Sequence, residues 1–297
     1  MNLLSLTRNN RLCKALTGLS IDELEQLIPD FTWNLTEYLV TRRADRIRKA
    51  GAGPKGKLPT PAHKLTAVLI YLRVYPTFDV MGFILNLDRS NSCRDIHLYL
   101  KVLEKTLRRK LVLPTRKITS VEEFFHLFPD VKDVFIDGTE RRTQKPVLIK
   151  KRNKLYSGKK KTTTRKNLIV SDEFRRIGVL TITKSGRRHD KRLVDKAHLA
   201  RSIPDTVTIW TDTGFMGIQK DHHNTVMPRK KTKKHPLTES EKQENKLISG
   251  IRILAEHAIN GMKRYKAAAD IYRNRKLFVD DTMTLVCAGL WNYHLAS

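Results

Sequence analysis

The sequence predicts an all-α domain over residues 1–116, followed over residues 117–297 by an α/β domain, a mixed sheet with flanking helices. Three observations carry this. As far as Leu107 the apolar residues recur at spacings of three and four, the helical period. From Val131 the pattern changes to short apolar runs, Asp133–Asp137, Asn167–Val170, Ile177–Thr183 and Thr206–Trp210, two of which lead into an acid and then a glycine. Helical stretches return at Asp190–Arg201 and Asn245–Arg264, giving strands and helices in mixed order. Pro114–Ser120 reads as the linker between the domains.

In the first domain Ser20-Ile-Asp-Glu23 is a capping box. Leu24, Leu27 and Ile28 follow on one helical face, and Pro29 predicts the end of that helix. A second helix is expected over Trp33–Lys49, closed by the basic loop Gly51–Pro59. Thr60-Pro61 opens a third helix, Ala62–Val74, which Tyr75-Pro76 ends. Asp79 is placed to cap a short helix, Val80–Leu87, and a tight turn follows at Asp88–Ser90. From Asn91 a longer helix carries Cys93, Ile96, Leu100, Leu103 and Leu107 along one seam. This is a helix-turn-helix pattern that would present Arg89, Asn91, Ser92 and Arg94 where a recognition helix meets base edges. Any αα-hairpin has the same pattern, so base reading and simple packing both stay open.

Charge narrows the partner. Lys and Arg number 58 against 30 acids, a net +28, which makes a polyanion the expected ligand. The segment Arg141–Lys166 holds 12 basic residues and no acid, and five of the six residues in Arg229–Lys234 are basic. Lys159, Lys160, Lys161, Lys230 and Lys231 are the candidates for DNA-backbone contact. Cys13, Cys93 and Cys287 form no CxxC pair, which argues against a zinc finger or a disulfide framework and fits a reducing cytosol. The apolar run Leu65–Tyr75 is too short to span a bilayer and is broken by Arg73, and MNLLSLTRNNRL is too polar for a secretory signal. The expected location is cytoplasmic, associated with a bacterial nucleoid, with no membrane partner. No phosphate-binding Gly-x-x-x-x-Gly-Lys run appears, and the histidines lack zinc-site spacing.

The candidate chemistry lies in three acids. Asp137 and Asp212 each follow an apolar strand and stand beside a glycine, where backbone and solvent approach closely. Glu256 lies on the amphipathic helix Asn245–Arg264, with Arg252 four residues before it and Lys263 seven after, on one helical edge. Taken singly, each has an ordinary reading as a turn residue or a solvated face. Brought together, such acids repel by about 4 kcal/mol per pair at about 4 Å and an effective dielectric near 20. They would shift their pKa values upward or recruit a cation, and hard oxygen ligands favour Mg²⁺ or Mn²⁺, two ions in an in-line phosphoryl displacement.

Phe135-Ile-Asp137-Gly-Thr-Glu140, Asp212-Thr-Gly-Phe215 and Ile251-Arg-Ile-Leu-Ala-Glu256-His resemble the three acidic motifs of DDE transposases of bacterial insertion sequences, the insertion-sequence-five group in particular. Gly51-Ala-Gly, Leu69–Pro76, Lys234-His-Pro-Leu237 and Cys287–His294 extend the likeness over most of the chain. The resemblance implies a ribonuclease-H-like fold whose first and fourth strands bring Asp137 and Asp212 together. It implies Asp137, Asp212 and Glu256 as metal ligands, with Arg252 and Lys263 contacting phosphate or holding Glu256. In the related insertion-sequence-four signature a Tyr stands where this chain has Ser249. Gly186-x-x-His-Asp190 also recurs in the group, without an assigned role, and Glu140 reads as an outer acid or a partner of Arg141 or Arg142. The expected partner is double-stranded DNA, both element ends and target, bound by a homodimer or higher oligomer. A catalytically silent DNA-binding protein and a purely hydrolytic nuclease are the rival readings.

Overall fold

The computed structural model describes residues 3–42, 56–232, 236–274, 276 and 278–297. The first part of the Gly51–Pro59 loop, Lys233 and Lys234 of the second basic run, and His235 lie outside them. The chain divides into two compact units: Met1–Leu113 with Met262–Asp270 and Lys276–Ser297, and Pro114–Gly261 with Ile271–Arg275.

The first unit is helical: α1 (Asn10–Thr17), α2 (Ile21–Thr41), α3 (Pro61–Val74), α4 (Phe78–Leu85) and α5 (Arg89–Arg109). The capping box forms, with Glu23 N–H donating to Ser20 Oγ and Ser20 N–H to the Glu23 carboxylate. Contrary to expectation, α2 runs straight through Pro29 to Thr41. Proline costs a helix interior about 3 kcal/mol. Leu24, Leu27, Phe31 and Leu35 form one buried stripe across it, at roughly 1.5–3 kcal/mol for each side chain, and the stripe wins. Thr60 caps α3 with Pro61 in the first turn, and the helix is buried from Leu65 to Leu72.

The α4–α5 pair forms the expected αα-hairpin, but its details differ. Thr77, not Asp79, caps α4, and Asp88 caps α5 by accepting from Ser90 N–H at 2.7 Å. Arg89, Asn91 and Arg94 are exposed. Ser92 is fully buried, because it stands one turn before Ile96 on the apolar seam of α5.

The second unit opens with α6 (Val121–Leu127) and β1 (Asp133–Arg142), then α7 (Ile149–Leu155), β2 (Tyr156–Ser157), β3 (Thr162–Asp172), β4 (Ile177–Leu180) and β5 (Lys184–Ser185). It continues with α8 (Asp190–Ala197), β6 (Thr208–Thr211), β7 (Thr225–Val226) and the long α9 (Glu239–Lys263). The sheet order is β2-β3-β1-β6-β7, with β4 and β5 also pairing β3. β1 is antiparallel to β3 and parallel to β6, so the sheet is mixed. Val134 and Ile136 of β1, Leu168 and Val170 of β3 and Ile209 of β6 pack with Phe124 of α6, Phe128 just after it, and Leu193 and Val194 of α8.

β1 does not stop at Asp137 as the sequence pattern predicts. Thr139, Glu140 and Arg141 find cross-strand partners in Asn167, Lys166 and Arg165, so pairing carries the strand on to Arg142. Asp137 is therefore a mid-strand residue, and Asp212 alone stands at a strand end.

The short α10 (Lys266–Ala269) and α11 (Val279–Ala296) return the chain to the first unit. The sequence pattern predicts α11 within the α/β domain; instead it packs on α5 and α10. It is buried from Met283 to Tyr293 on every face, and a helix apolar all round needs helices around it. Among the described residues no helix is long and apolar enough to cross a membrane.

Candidate active site

The parallel register of β1 and β6 pairs Ile136 with Thr211, and the residues that follow are Asp137 and Asp212. Thr211 Oγ1 donates to the Ile136 carbonyl at 3.1 Å and ties the end of β6 to β1. Asp137 Oδ1 accepts from the Gly138 N–H at 2.6 Å, and Asp212 Oδ1 from the Gly214 N–H at 2.7 Å. Burial lifts the Asp137 carboxyl above the ordinary aspartate range; the Gly138 amide opposes this, the Asp212 charge raises it further, and Arg252 and Lys159 pull it back. Lys159 Nζ stands 3.9 Å from Asp212 Oδ2.

A second acid cluster lies next to Asp212: a Cβ at position 214 would meet Asp212 Oδ1 at 2.8 Å and Asp190 Oδ2 at 3.5 Å. Side chains alternate along a strand, so Gly138 and Glu140 continue the face of Val134 and Ile136, which is the α8 side. Gly138 leaves room there for Asp190, the first residue of α8: a Cβ at position 138 would meet Asp190 Oδ1 at 2.9 Å. Asp190 pairs with Lys166 at 2.9 Å, and Lys166 with Glu140 at 3.1 Å. Thr164 Oγ1 donates to Glu140 at 2.6 Å. Burial disfavours the Lys166 charge, but Asp190 and Glu140 outweigh it and hold its pKa above the usual lysine value. Burial likewise pushes Glu140 up, and bonds from Thr164, Ser157 and Lys166 bring it below the usual range.

These contacts correct three readings. Glu140 pairs with its cross-strand neighbour Lys166, not with Arg141 or Arg142. Arg141 and Lys166, the ends of the first basic run and so expected at a polyanion-facing surface, are both buried, Arg141 with its guanidinium 5.0 Å from the Tyr272 ring centre. Arg229, first of the second run, is held by Glu241 at 2.9 Å and Glu244 at 3.4 Å. Asp190 is the site residue that motif reading left without a role; its only signal was the Gly186–Asp190 pattern.

Other candidates are spread more widely. Lys159, Lys160, Lys161, Lys230 and Lys231 are exposed, and Lys159 and Lys230 line the cleft of about 640 Å³ that holds Asp190 and Asp212. The charge of Arg252 reaches Asp137, which places the middle of α9 near the pair. Glu256, one turn further on, is exposed, and among the described residues no three acids, histidines or cysteines group into a cation site. Lys263 falls in the last turn of α9, counted with the first unit. Ser249 Oγ bonds back to the Asn245 carbonyl at 2.8 Å. On α9 the expected apolar stripe is buried at Ala255, Ala258, Ile259 and Met262 but exposed at Leu247 and Ile251.

Asp137 and Asp212 offer hard oxygen donors with an excess of negative charge, which fits a small divalent cation. No solved structure matches the chain. A probable transposase for insertion sequence element IS702 from Microchaete diplosiphon is 29% identical over 255 residues, 86% of this chain and 87% of that protein. The DDE superfamily endonuclease family matches residues 136–292, a span that opens one residue before Asp137 and takes in Asp212 and Glu256. With a mixed α/β fold consistent with that of a DDE nuclease and more than half its length inside the match, the chain belongs to the DDE superfamily endonucleases.

Proposed function

We propose that this chain is a transposase: it binds the terminal inverted repeats of an insertion sequence, cuts at the element's end, and joins the freed end to target DNA. The observation that carries the reading is the half-buried Asp137–Asp212 pair on adjacent parallel strands of a chain with net charge +28. The second unit is then a ribonuclease-H-like catalytic domain, and the α4–α5 hairpin, with Arg89, Asn91 and Arg94 exposed, reads base edges of the repeat. The working form is a homodimer or higher oligomer on double-stranded DNA.

Asp137 and Asp212 would hold Mg²⁺ or Mn²⁺, with Glu256 as the third donor from α9. A divalent ion held by these carboxylates would supply charge stabilisation at the scissile phosphate and favour deprotonation of the attacking water. The Gly138 and Gly214 amides fix how the two carboxylates are turned. Lys159 and Lys230 at the rim receive DNA phosphates, and Arg252 contacts phosphate or steadies Glu256, as does Lys263 further along the helix. Water displaces the 3′-oxygen at the element's end, leaving a 3′-hydroxyl and a 5′-phosphate. That hydroxyl then attacks a target phosphodiester, releasing one new 3′-hydroxyl for each bond made.

The test is incubation of the protein with a labelled element end, a target plasmid and Mg²⁺, alongside Asp212→Asn. Cut ends and joined products from the unaltered chain alone support the reading. Cutting without joining reduces it to a nuclease, and binding without cutting to a silent DNA-binding protein.

A further inference from the structure

Beside the Asp212 cleft, on the α8 side, lies a second groove of about 550 Å³. Its charged walls are Lys154, Arg187, Arg188, His189, Arg192 and Lys196, and no acid lines it. Arg187, Arg188 and His189 also line the cleft that holds Asp190 and Asp212, so the two spaces join into one channel leading away from Asp212. None of these residues belongs to either basic run of the sequence except Lys154.

The charges here are exposed and uncompensated. On α8, Lys191 is held by Asp195 and Asp221, yet among the described residues no carboxylate pairs with Arg192 or Lys196, nor with Arg187 or Arg188 just ahead of the helix. Arg192 and Lys196 stand one turn apart, where like charges repel. Arg187 and Arg188 precede a helix N-terminus, the end at which its dipole disfavours cations. Folding alone gains nothing from this arrangement. A polyanion laid in the groove relieves all of it at once, and a DNA strand supplies a charge about every 3.4 Å along its axis.

We infer that this groove carries the DNA backbone on one side of the scissile phosphate. Successive phosphates leave Asp212 past Arg187 and Arg188 and reach Arg192 and Lys196. The inference rests on the reading that DNA is the substrate, and it assigns the surface along which that DNA runs.

The experiment uses the full chain, a dye-labelled duplex of about 30 base pairs, EDTA to prevent cutting, and anisotropy titrations between about 50 and 200 mM salt. Removing three phosphate contacts in Arg187→Ala/Arg192→Ala/Lys196→Ala should reduce the slope of log affinity against log salt by about 2.7. The charge-matched control Lys132→Ala/Arg175→Ala/Lys220→Ala, exposed residues of the same unit outside the groove, should move it by less than half as much. Arg187→Lys/Arg192→Lys should keep the slope. Should the groove triple melt early, Arg192→Ala alone decides, with an expected change of about 0.9. Equal changes in the two triples, or none in the groove triple, overturn the inference. Because binding is read without catalysis, a chain that shows the slope loss but never cuts DNA in Mg²⁺ counts against the transposase reading and not against the groove.

Discussion

Two acid clusters lie within three residues of each other on β1, and they are opposites in charge compensation. Glu140 shares Lys166 with Asp190, accepts a bond from Thr164, and is almost wholly buried. Asp137 faces the other way, beside a second carboxylate, with the Gly138 amide and then the more distant charges of Arg252 and Lys159 to offset burial. The first cluster looks like what a fold does with buried charge: every group has a partner. The second leaves a like-charge pair that stability alone does not favour, which is the electrostatic pattern the proposed site calls for. The difference teaches where to look. Motif spacing singled out Asp137, Asp212 and Glu256 alike, while the electrostatics separate a like-charge pair from a network built around the Lys166 ammonium.

The largest expected effect breaks the compensated cluster. Lys166→Ala strands two buried carboxylates, and losing one partner of a buried ionic network costs about 3–5 kcal/mol. Urea unfolding measures it. The pH dependence has two edges. The raised Lys166 pKa gives a contribution present below the ordinary lysine value of about 10.4 and lost as pH climbs through the folded value. The lowered Glu140 pKa gives one present above about 4.3 and lost on acidification through its folded value. Stability lent by the cluster is therefore full across the neutral range. A loss under about 1 kcal/mol at neutral pH would mean that the cluster is solvated, and the contrast with Asp137 would collapse.

The next effect tests the uncompensated pair. A ligand that binds only the folded protein stabilises it by about 2.7 kcal/mol at a hundred times its dissociation constant. Millimolar Mg²⁺ should raise the melting temperature of the unaltered chain, and Asp137→Asn or Asp212→Asn should abolish the rise. An equal rise in all three proteins would place the cation elsewhere.

A smaller effect has the opposite sign. Since burial and Asp212 raise the Asp137 pKa, the stability linked to that group is present below the ordinary value of about 3.9 and lost as pH rises through the folded one. Asp137→Asn, assayed without divalent ions, should therefore be the more stable protein at neutral pH, by up to about 1 kcal/mol. The gain should shrink to nothing in acid. A variant less stable than the parent at pH 7 would show that the Gly138 hydrogen bond outweighs the repulsion.

Much of this was legible in the sequence, for physical reasons that also explain what was not. The strands carrying Asp137 and Asp212 announced themselves as apolar runs, and the capping box at Ser20 is local chemistry that a sequence displays directly. What failed was whatever depends on a distant partner. The stripe across Pro29 overrode a local stop signal, and the β3 partners of Thr139–Arg141 lengthened β1 past its glycine. Lys166 looked like one more member of a basic run, because the residues that neutralise it, Glu140 and Asp190, are 26 and 24 positions away. Ser92 was misplaced by a single helical step.

The smallest expected effect on stability bears on the residue about which motif and geometry say least in common. Glu256 is exposed on α9 and is not gathered with Asp137 and Asp212, although Arg252, one turn before it, lies close enough to act on Asp137. Glu256→Gln keeps the shape and removes the charge, and at an exposed helical position it should change stability by less than about 0.5 kcal/mol. If Glu256 is the third donor, it nevertheless matters to the charged state of the site: cleavage of a labelled end in Mg²⁺ should be lost as fully as in Asp212→Asn, at unchanged DNA binding. The Mg²⁺-induced rise in melting temperature should shrink as well, because a hard cation gains little from an amide in place of a carboxylate. That second readout separates a metal ligand from a residue that only touches DNA, which would weaken cleavage while leaving the cation response whole. Normal cleavage by Glu256→Gln would confine the site to the two strand acids, and the motif on α9 would then contribute Arg252 alone.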